Sequence, residues 1–70
     1  MFFTLFIYNK ANKNLVDTFI AKGNTVNDAI SQLISTSKFA VSNLKSFWQK
    51  NDECVVSCSI NNVESYVVIK

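Results

Sequence analysis

The chain of 70 residues has no histidine, no arginine and no proline, and it contains one glycine and two cysteines. Without histidine, the usual general base of acid–base and nucleophilic catalysis is missing. The carboxylates do not replace it, because the only adjacent two, Asp52 and Glu53, would point to opposite faces of a strand. No glycine-rich phosphate loop is present either. We therefore predict that the protein is not an enzyme and that it uses no cofactor.

The two cysteines, Cys54 and Cys58, lie four residues apart in a run that is typical of a β-strand. On one strand they would share a face but lie roughly 13 Å apart, which is too far for a disulfide. A CxxxC pair without histidine or further cysteines also lacks the four ligands of a structural metal site. We expect two reduced, buried cysteines in a cytoplasmic protein.

Seven lysines and five carboxylates give a net charge of +2. This balance is too small to indicate a nucleic-acid partner by itself, and it argues against a protein that imitates DNA with an acidic surface. The apolar N-terminal run, residues 2–8, is much shorter than the roughly 20 residues of a membrane span. We expect neither a secretion signal nor an anchor, and no membrane partner.

The clearest structural pattern is at the C-terminus, where two runs of β-formers flank Asn61-Asn62. Asparagine tolerates positive φ, so this pair predicts the two-residue turn of a tight hairpin. The resulting register places four pairs on a mostly apolar face, Ile60–Val63, Cys58–Ser65, Val56–Val67 and Cys54–Ile69. It places four other pairs on the opposite face, Ser59–Glu64, Ser57–Tyr66, Val55–Val68 and Glu53–Lys70.

The first half of the chain predicts two strands and a helix. Residues 2–8 and 15–21 are rich in β-formers and are separated by a polar loop, and Gly23 after the second strand is free to adopt positive φ. Thr25 is a good N-cap, and Asp28 completes a capping box with aspartate in place of the usual glutamate. A helical stripe follows and ends near residues 35–37; its members are Val26, Ala29, Ile30, Leu33 and Ile34.

The sequence pattern of residues 38–50 fits either a helix or a strand. Their apolar positions, Ala40, Val41, Leu44, Phe47 and Trp48, have helical spacing, yet residues 47–49 could also form a short strand that turns into the Cys54 strand. We favour a helix over about residues 38–46. The predicted fold is a single domain, 1–70, of the α+β class: an antiparallel sheet of about four strands, in the order β-β-α-β-β, with one or two helices packed on one face.

A sheet covered on one face leaves its other face open to water or to a partner. We expect Phe3, Leu5 and Ile7 to face the core, and also Val16, Thr18 and Ile20, because the alternative for the second strand would bury Asp17. The open side would then carry Phe2, Phe6, Tyr8, Leu15 and Phe19, with Thr4 and Asp17, extended by Tyr66, Val55 and Val68. An apolar patch of this size is typical of an interaction site, unless loops, residues 47–48 or an identical subunit cover it.

The segment FTLFIYNKANKNLVDTFIAKGNTVNDAISQLI, followed by a terminal hairpin ending in YVVIK, resembles many very small proteins of bacteriophages and other mobile elements, among them anti-CRISPR inhibitors. The resemblance covers most of the chain, lies in size, element order and pattern, and includes no diagnostic motif. It implies a stoichiometric inhibitor in the cytoplasm of a bacterial host that sterically blocks a host protein or a ribonucleoprotein complex of the CRISPR–Cas type.

We therefore predict a non-catalytic protein-binding module. Its affinity would come from aromatic residues on the open side, and two loop lysines would steer it to an acidic partner. The predicted site residues are Phe6, Tyr8, Lys10, Lys13, Phe19 and Tyr66. Two alternatives use the same surface: a single-stranded nucleic-acid binder, against which Asp17 within the patch counts, and a structural homodimer.

Overall fold

The computed structural model of the chain describes residues 1–50 and 53–70, and for residues 46–48 and 50 it describes the backbone alone. Asp52 therefore lies outside the described residues. The elements follow in the order β1 (Phe2–Asn9), β2 (Leu15–Lys22), α1 (Val26–Ser35), β3 (Val41–Lys50), β4 (Glu53–Ile60) and β5 (Val63–Ile69).

The strands form a single antiparallel sheet in the spatial order β2-β1-β5-β4-β3. The first and last strands of the chain, β1 and β5, therefore pair near the middle of the sheet. The predicted α+β class and antiparallel sheet are confirmed. The described residues form five strands and one helix, however, rather than about four strands with one or two helices.

The β4–β5 hairpin has the predicted register at every pair from Cys54–Ile69 to Ile60–Val63. Asn61 and Asn62 have φ values of 54° and 67°, as a turn with two left-handed central residues requires. Local turn chemistry was therefore sufficient to fix which side chains share a face along these two strands.

Between Asp17 and Ala21, the two faces of β2 were predicted the wrong way round. Phe19 pairs with Leu5 and packs against the core, and Ala21 is fully buried on the same side, whereas Ile20 is 61% exposed. The reason is that Asp17 on the core side is not buried: β2 is an edge strand, so the carboxylate reaches solvent and lies 3.8 Å from the ammonium of Lys38. Phe19 is thus absent from the open side.

Helix α1 begins as predicted. The Thr25 hydroxyl accepts a hydrogen bond from the Asp28 N–H at 3.3 Å, and the Asp28 carboxylate accepts hydrogen bonds from the N–H groups of Asn24 at 2.8 Å and Thr25 at 3.1 Å. These bonds from Asn24 and Thr25 hold the pKa of the Asp28 carboxyl below its ordinary value, because they favour the ionised form.

Gly23 serves a different purpose from the one predicted. No glycine has positive φ in the described residues, so conformational freedom is not its role. Instead, a Cβ atom at this position would lie 2.4 Å from the Cβ atom of Asp28. Glycine is needed because the chain passes very close to the capping aspartate.

The helical stripe is buried except at its end. Ala29 and Leu33 are buried, and Val26 and Ile30 pack against the core. The prediction for Ile34 was wrong, since this residue in the last turn of the helix is 46% exposed.

The helix favoured for residues 38–46 was wrong, and the alternative of a strand running towards β4 is the one observed. Ser42 pairs with Ser59 and Ser46 with Ser57, so β3 contains two more residues than β4 between these points. Asn43 lies within this bulge with φ of 53°. The extra residues break the period of two, and the resulting spacing of apolar residues imitates that of a helix.

The core lies between the sheet and the layer formed by α1 and Phe39. Its buried members come from all parts of the chain; they are Leu5, Ile7, Ala21, Ala29, Leu33, Phe39, Cys54, Val56, Cys58, Ile60, Val67 and Ile69. The predicted burial of both cysteines is confirmed, and both are free thiols. Because the core takes one face of β1 and β5, their other side chains form the opposite surface of the sheet.

Candidate binding site on the open sheet face

The surface opposite the helix is called here the open face. Cross-strand partners share a face, so the pairs Phe6–Val68, Tyr8–Tyr66 and Ser57–Tyr66 identify its members. Among the described side chains it comprises Phe2, Thr4, Phe6, Tyr8, Lys10, Leu15, Thr18, Ile20, Lys22, Ser42, Lys45, Glu53, Val55, Ser57, Ser59, Glu64, Tyr66, Val68 and Lys70.

The centre of the open face is a stacked pair of tyrosines. The rings of Tyr8 and Tyr66 have centroids 5.0 Å apart and planes inclined by 15°. The stack follows from the register, since the two residues lie directly opposite each other on β1 and β5. Each ring is half-buried, so the rings support each other and still present aromatic surface and a hydroxyl group to solvent.

Two phenylalanines on β1 continue the aromatic row, and a lysine accompanies each of them. The ammonium of Lys70 lies 5.5 Å from the Phe6 ring centroid, and that of Lys22 lies 5.9 Å from the Phe2 ring centroid. Phe2 is 69% exposed, whereas Phe6 is half-buried. These are cation–π distances, and they keep positive charge beside planar apolar surface.

A shallow polar depression lies next to the tyrosine stack. Its lining includes Lys10, Lys45, Ser57, Ser59 and Glu64. Both serines are more than nine-tenths buried although they are on the open face. The lysines reach this depression from the β1–β2 loop and from the bulge in β3, so the irregularity of β3 places Lys45 beside the tyrosine row.

The structure brings together four of the six predicted site residues, namely Phe6, Tyr8, Lys10 and Tyr66. Phe19 is separated from them by the sheet, and its ring packs edge to face against Phe39 at a centroid distance of 6.1 Å. Lys13 is exposed in the β1–β2 loop, where its φ is 63°. The prediction of one aromatic cluster therefore holds for the residues of β1 and β5 alone.

Sequence reasoning left four residues out of the candidate site that the structure places there: Phe2, Lys22, Lys45 and Lys70. The predicted hairpin register already pairs Lys70 with Glu53 and so predicts its place on the open face. The charged groups of these two residues are 3.1 Å apart. Lys22 was missed because the faces of β2 were exchanged. It pairs with Phe2 across the β1–β2 hairpin.

Charge is distributed unevenly between the two sides of the sheet. The described side chains of the open face include the lysines Lys10, Lys22, Lys45 and Lys70 but only two carboxylates, Glu53 and Glu64. Asp17 and Asp28 lie on the other side, near the helix. The open face therefore combines aromatic rings with an excess of positive charge.

Cys54 and Cys58 are buried free thiols. Burial raises the pKa of the Cys58 thiol, which makes it a poorer nucleophile at neutral pH. Within residues 1–50 and 53–70, no group of three cysteine or carboxylate side chains is arranged to hold a metal ion. No helix in this part of the chain is long and apolar enough to cross a membrane.

A second concavity lies on the helix side, beyond the end of α1. It is a groove of about 230 Å³ whose lining includes Ile7, Asp17, Phe39, Ile60 and Val63. The groove is mainly apolar and lies where neither the helix nor Phe39 covers the sheet fully.

Comparisons with protein-family models, with curated proteins and with solved structures gave no match to this chain.

Proposed function

We propose that this protein is a non-catalytic binding module that docks on a partner protein through its open face. The observation that carries the proposal is the stacked pair Tyr8–Tyr66 in the middle of a sheet surface that no described helix covers. Tyrosine supplies large contact area at low entropic cost and is enriched in the energetically important centres of protein interfaces. The stack also pre-orders the two rings before a partner arrives.

The surrounding charge specifies the kind of partner surface. Lys10, Lys22, Lys45 and Lys70 would complement an acidic surface and accelerate association with it. The resemblance to small mobile-element proteins adds a finer hypothesis, that the partner belongs to a host complex of the CRISPR–Cas type and that occupation of its surface blocks it. Size, element order and pattern alone support this finer hypothesis.

The proposal is tested by replacing Tyr8 and Tyr66 together with alanine. We expect the double variant to lose partner binding by at least about 100-fold, as the loss of two central aromatic anchors implies. Ile34→Ala is the matched control, because Ile34 is an exposed apolar residue on the opposite side of the molecule. Both proteins are first compared by circular dichroism. Unchanged affinity of a folded double variant would refute the open face as the contact surface.

A second candidate function is binding of single-stranded nucleic acid, and the position of Asp17 favours it. The sequence suggested that this carboxylate lies among the aromatic residues, whereas it lies on the helix side near Lys38. The row Phe2, Phe6 and Tyr8 runs along β1 with lysines at both ends. Aromatic rings that stack on bases, interleaved with lysines that contact phosphates, are the usual components of such a site.

Fluorescence anisotropy with a labelled oligothymidylate of about 8 nucleotides tests this candidate. If three or four lysines contact phosphates, the logarithm of the affinity should fall with the logarithm of salt concentration with a slope of about −2 to −3. Lys70→Ala should reduce the steepness by about 0.7. Lys38→Ala, on the opposite side of the sheet, serves as the control. Absence of binding at low salt would remove this candidate and leave the protein-binding proposal intact.

A homodimer that buries the open face of each copy is the remaining alternative. Such a dimer would bring the lysines of one copy against those of the other, and this repulsion opposes it. We therefore expect a monomer by sedimentation at micromolar concentration.

A further inference from the structure

Strand β2 forms one edge of the sheet, and its register with β1 determines which of its backbone groups face outward. The Gly23 N–H donates to the Met1 carbonyl at 3.0 Å, so the odd-numbered residues of β2 direct their N–H and C=O groups towards β1. The corresponding groups of Thr18, Ile20 and Lys22 therefore point away from the sheet. A strand of another molecule would pair with such a row of outward-facing N–H and C=O groups.

A side chain of the helix is hydrogen-bonded to the outward-facing N–H and C=O groups of Lys22. The Lys22 N–H donates to Gln32 Oε1 at 3.0 Å, and Gln32 Nε2 donates to the Lys22 carbonyl. One primary amide thus makes both hydrogen bonds that a residue of an added strand would make at this position. Gln32 thus joins the helix to the sheet edge.

A second side chain accepts a hydrogen bond from the outward-facing N–H group of Thr18. Asp17 Oδ1 accepts this hydrogen bond at 2.7 Å. The register of β2 against β1 also shifts next to this point, between the partners of Ile7 and Tyr8, so the start of the edge is not a regular strand. Among Thr18, Ile20 and Lys22, Ile20 is the one whose N–H has no partner in the described part of the chain.

We propose that Gln32 and Asp17 close the β2 edge against strand addition, so that the protein contacts other molecules with the face of its sheet and not with this edge. Side chains that occupy edge backbone groups are an economical protection, because they need no extra strand. At the opposite edge, β3 is interrupted by the bulge at Asn43, which breaks the regular row of backbone groups there as well.

Amide hydrogen exchange measured by NMR tests the role of Gln32 directly. In the wild-type chain the Lys22 amide should exchange about fivefold or more slowly than the Ile20 amide, after correction for intrinsic rates, because only Lys22 has a hydrogen-bond acceptor. Gln32→Ala should remove this difference. Asn27→Ala replaces another exposed amide of the same helix and should preserve it. Equal exchange of the two amides in the wild-type chain would overturn the role of Gln32.

Sedimentation equilibrium tests whether the closure prevents association. The double variant Asp17→Ala/Gln32→Ala should self-associate roughly tenfold or more strongly than the wild-type chain, since two occupied N–H groups become available. The control is Asp17→Asn/Asn27→Ala, because asparagine at position 17 loses the charge facing Lys38 but keeps an acceptor oxygen. Circular dichroism establishes that each variant is folded. Equal sedimentation of both double variants, or a wild-type chain that already pairs through β2, would overturn the proposal.

Discussion

The two faces of this sheet use aromatic residues in opposite ways. On the helix side, Phe19 and Phe39 meet edge to face within a packed core, and the only lysine described near them, Lys38, also lies beside Asp17. On the open face, Tyr8 and Tyr66 stack in parallel and remain partly exposed among several lysines. Aromatic content alone therefore does not indicate an interaction site; the presence or absence of a covering layer decides the role of each ring.

Substitutions on the helix side should therefore mainly reduce stability, whereas those on the open face should mainly reduce binding. A chain of this size has a thin core, so the stability effects on the helix side should be large relative to the total free energy of unfolding.

The largest effect is expected for Leu33→Ala, because Leu33 is almost fully buried between α1 and the sheet. Truncation of such a residue costs about 2–5 kcal/mol in the free energy of unfolding. Urea denaturation followed by circular dichroism measures it. Ile34→Ala, one residue further along the same helix, should change the stability by less than about 0.5 kcal/mol. Similar losses for the two variants would contradict the assignment of the helix faces.

Gly23→Ala should have the next largest effect. The new methyl group would lie 2.4 Å from the Asp28 Cβ atom, so the start of α1 would have to move. Overpacking of this kind costs about 1–3 kcal/mol, and it can be measured by the same denaturation experiment. Asn27→Ala, in the first turn but exposed, is the control. A neutral Gly23→Ala variant would mean that the close approach is not maintained in solution.

The capping aspartate should make the stability depend on pH in a defined direction. The pKa of Asp28 is lowered in the folded chain, so its contribution to stability is fully present above the pKa of the unfolded chain, near 3.8, and is lost as the pH falls through the folded pKa. We expect Asp28→Asn to be less stable than the wild type at pH 6, with the difference disappearing at strongly acidic pH. Thermal unfolding as a function of pH measures this dependence, and a difference that persists at the lowest pH would contradict it.

The smallest effect is expected for Glu53→Gln, at the rim of the open face. The Glu53–Lys70 ion pair is exposed, and such pairs contribute about 0–1 kcal/mol to stability. Binding of an anionic partner should instead improve slightly, because Lys70 beside Phe6 loses its competing carboxylate. Titration calorimetry of the two proteins under the same salt conditions measures the change. A loss of stability above about 2 kcal/mol would show that this rim is part of the folded core.

The sequence predicted those features that depend on a few neighbouring residues. Asn61-Asn62 sets the register of the β4–β5 hairpin, and Thr25 with Asp28 sets the start of the helix, because turn and capping chemistry act locally. The register also predicted that Tyr66 lies on the open face. The partner that stacks on it, Tyr8, is on a strand far away in sequence, and no local rule pairs β1 with β5.

The features that were missed depend on the whole sheet. The bulge at Asn43 gave β3 an apolar spacing that resembles a helix. The burial rule for charged residues exchanged the faces of β2, because it takes no account of an edge strand from which Asp17 reaches solvent. Both errors arise from the position of a strand within the sheet, which a single sequence does not reveal.

The most direct test of the proposed function is a comparison of affinity capture by three proteins from the cells that produce the chain: the wild type, Tyr8→Ala/Tyr66→Ala and Ile34→Ala. We predict that a specific partner purifies with the wild type and with Ile34→Ala in equal amounts and is absent from the double tyrosine variant. Capture of the same partner by a folded double variant at wild-type yield would contradict the claim that the open face is the contact surface.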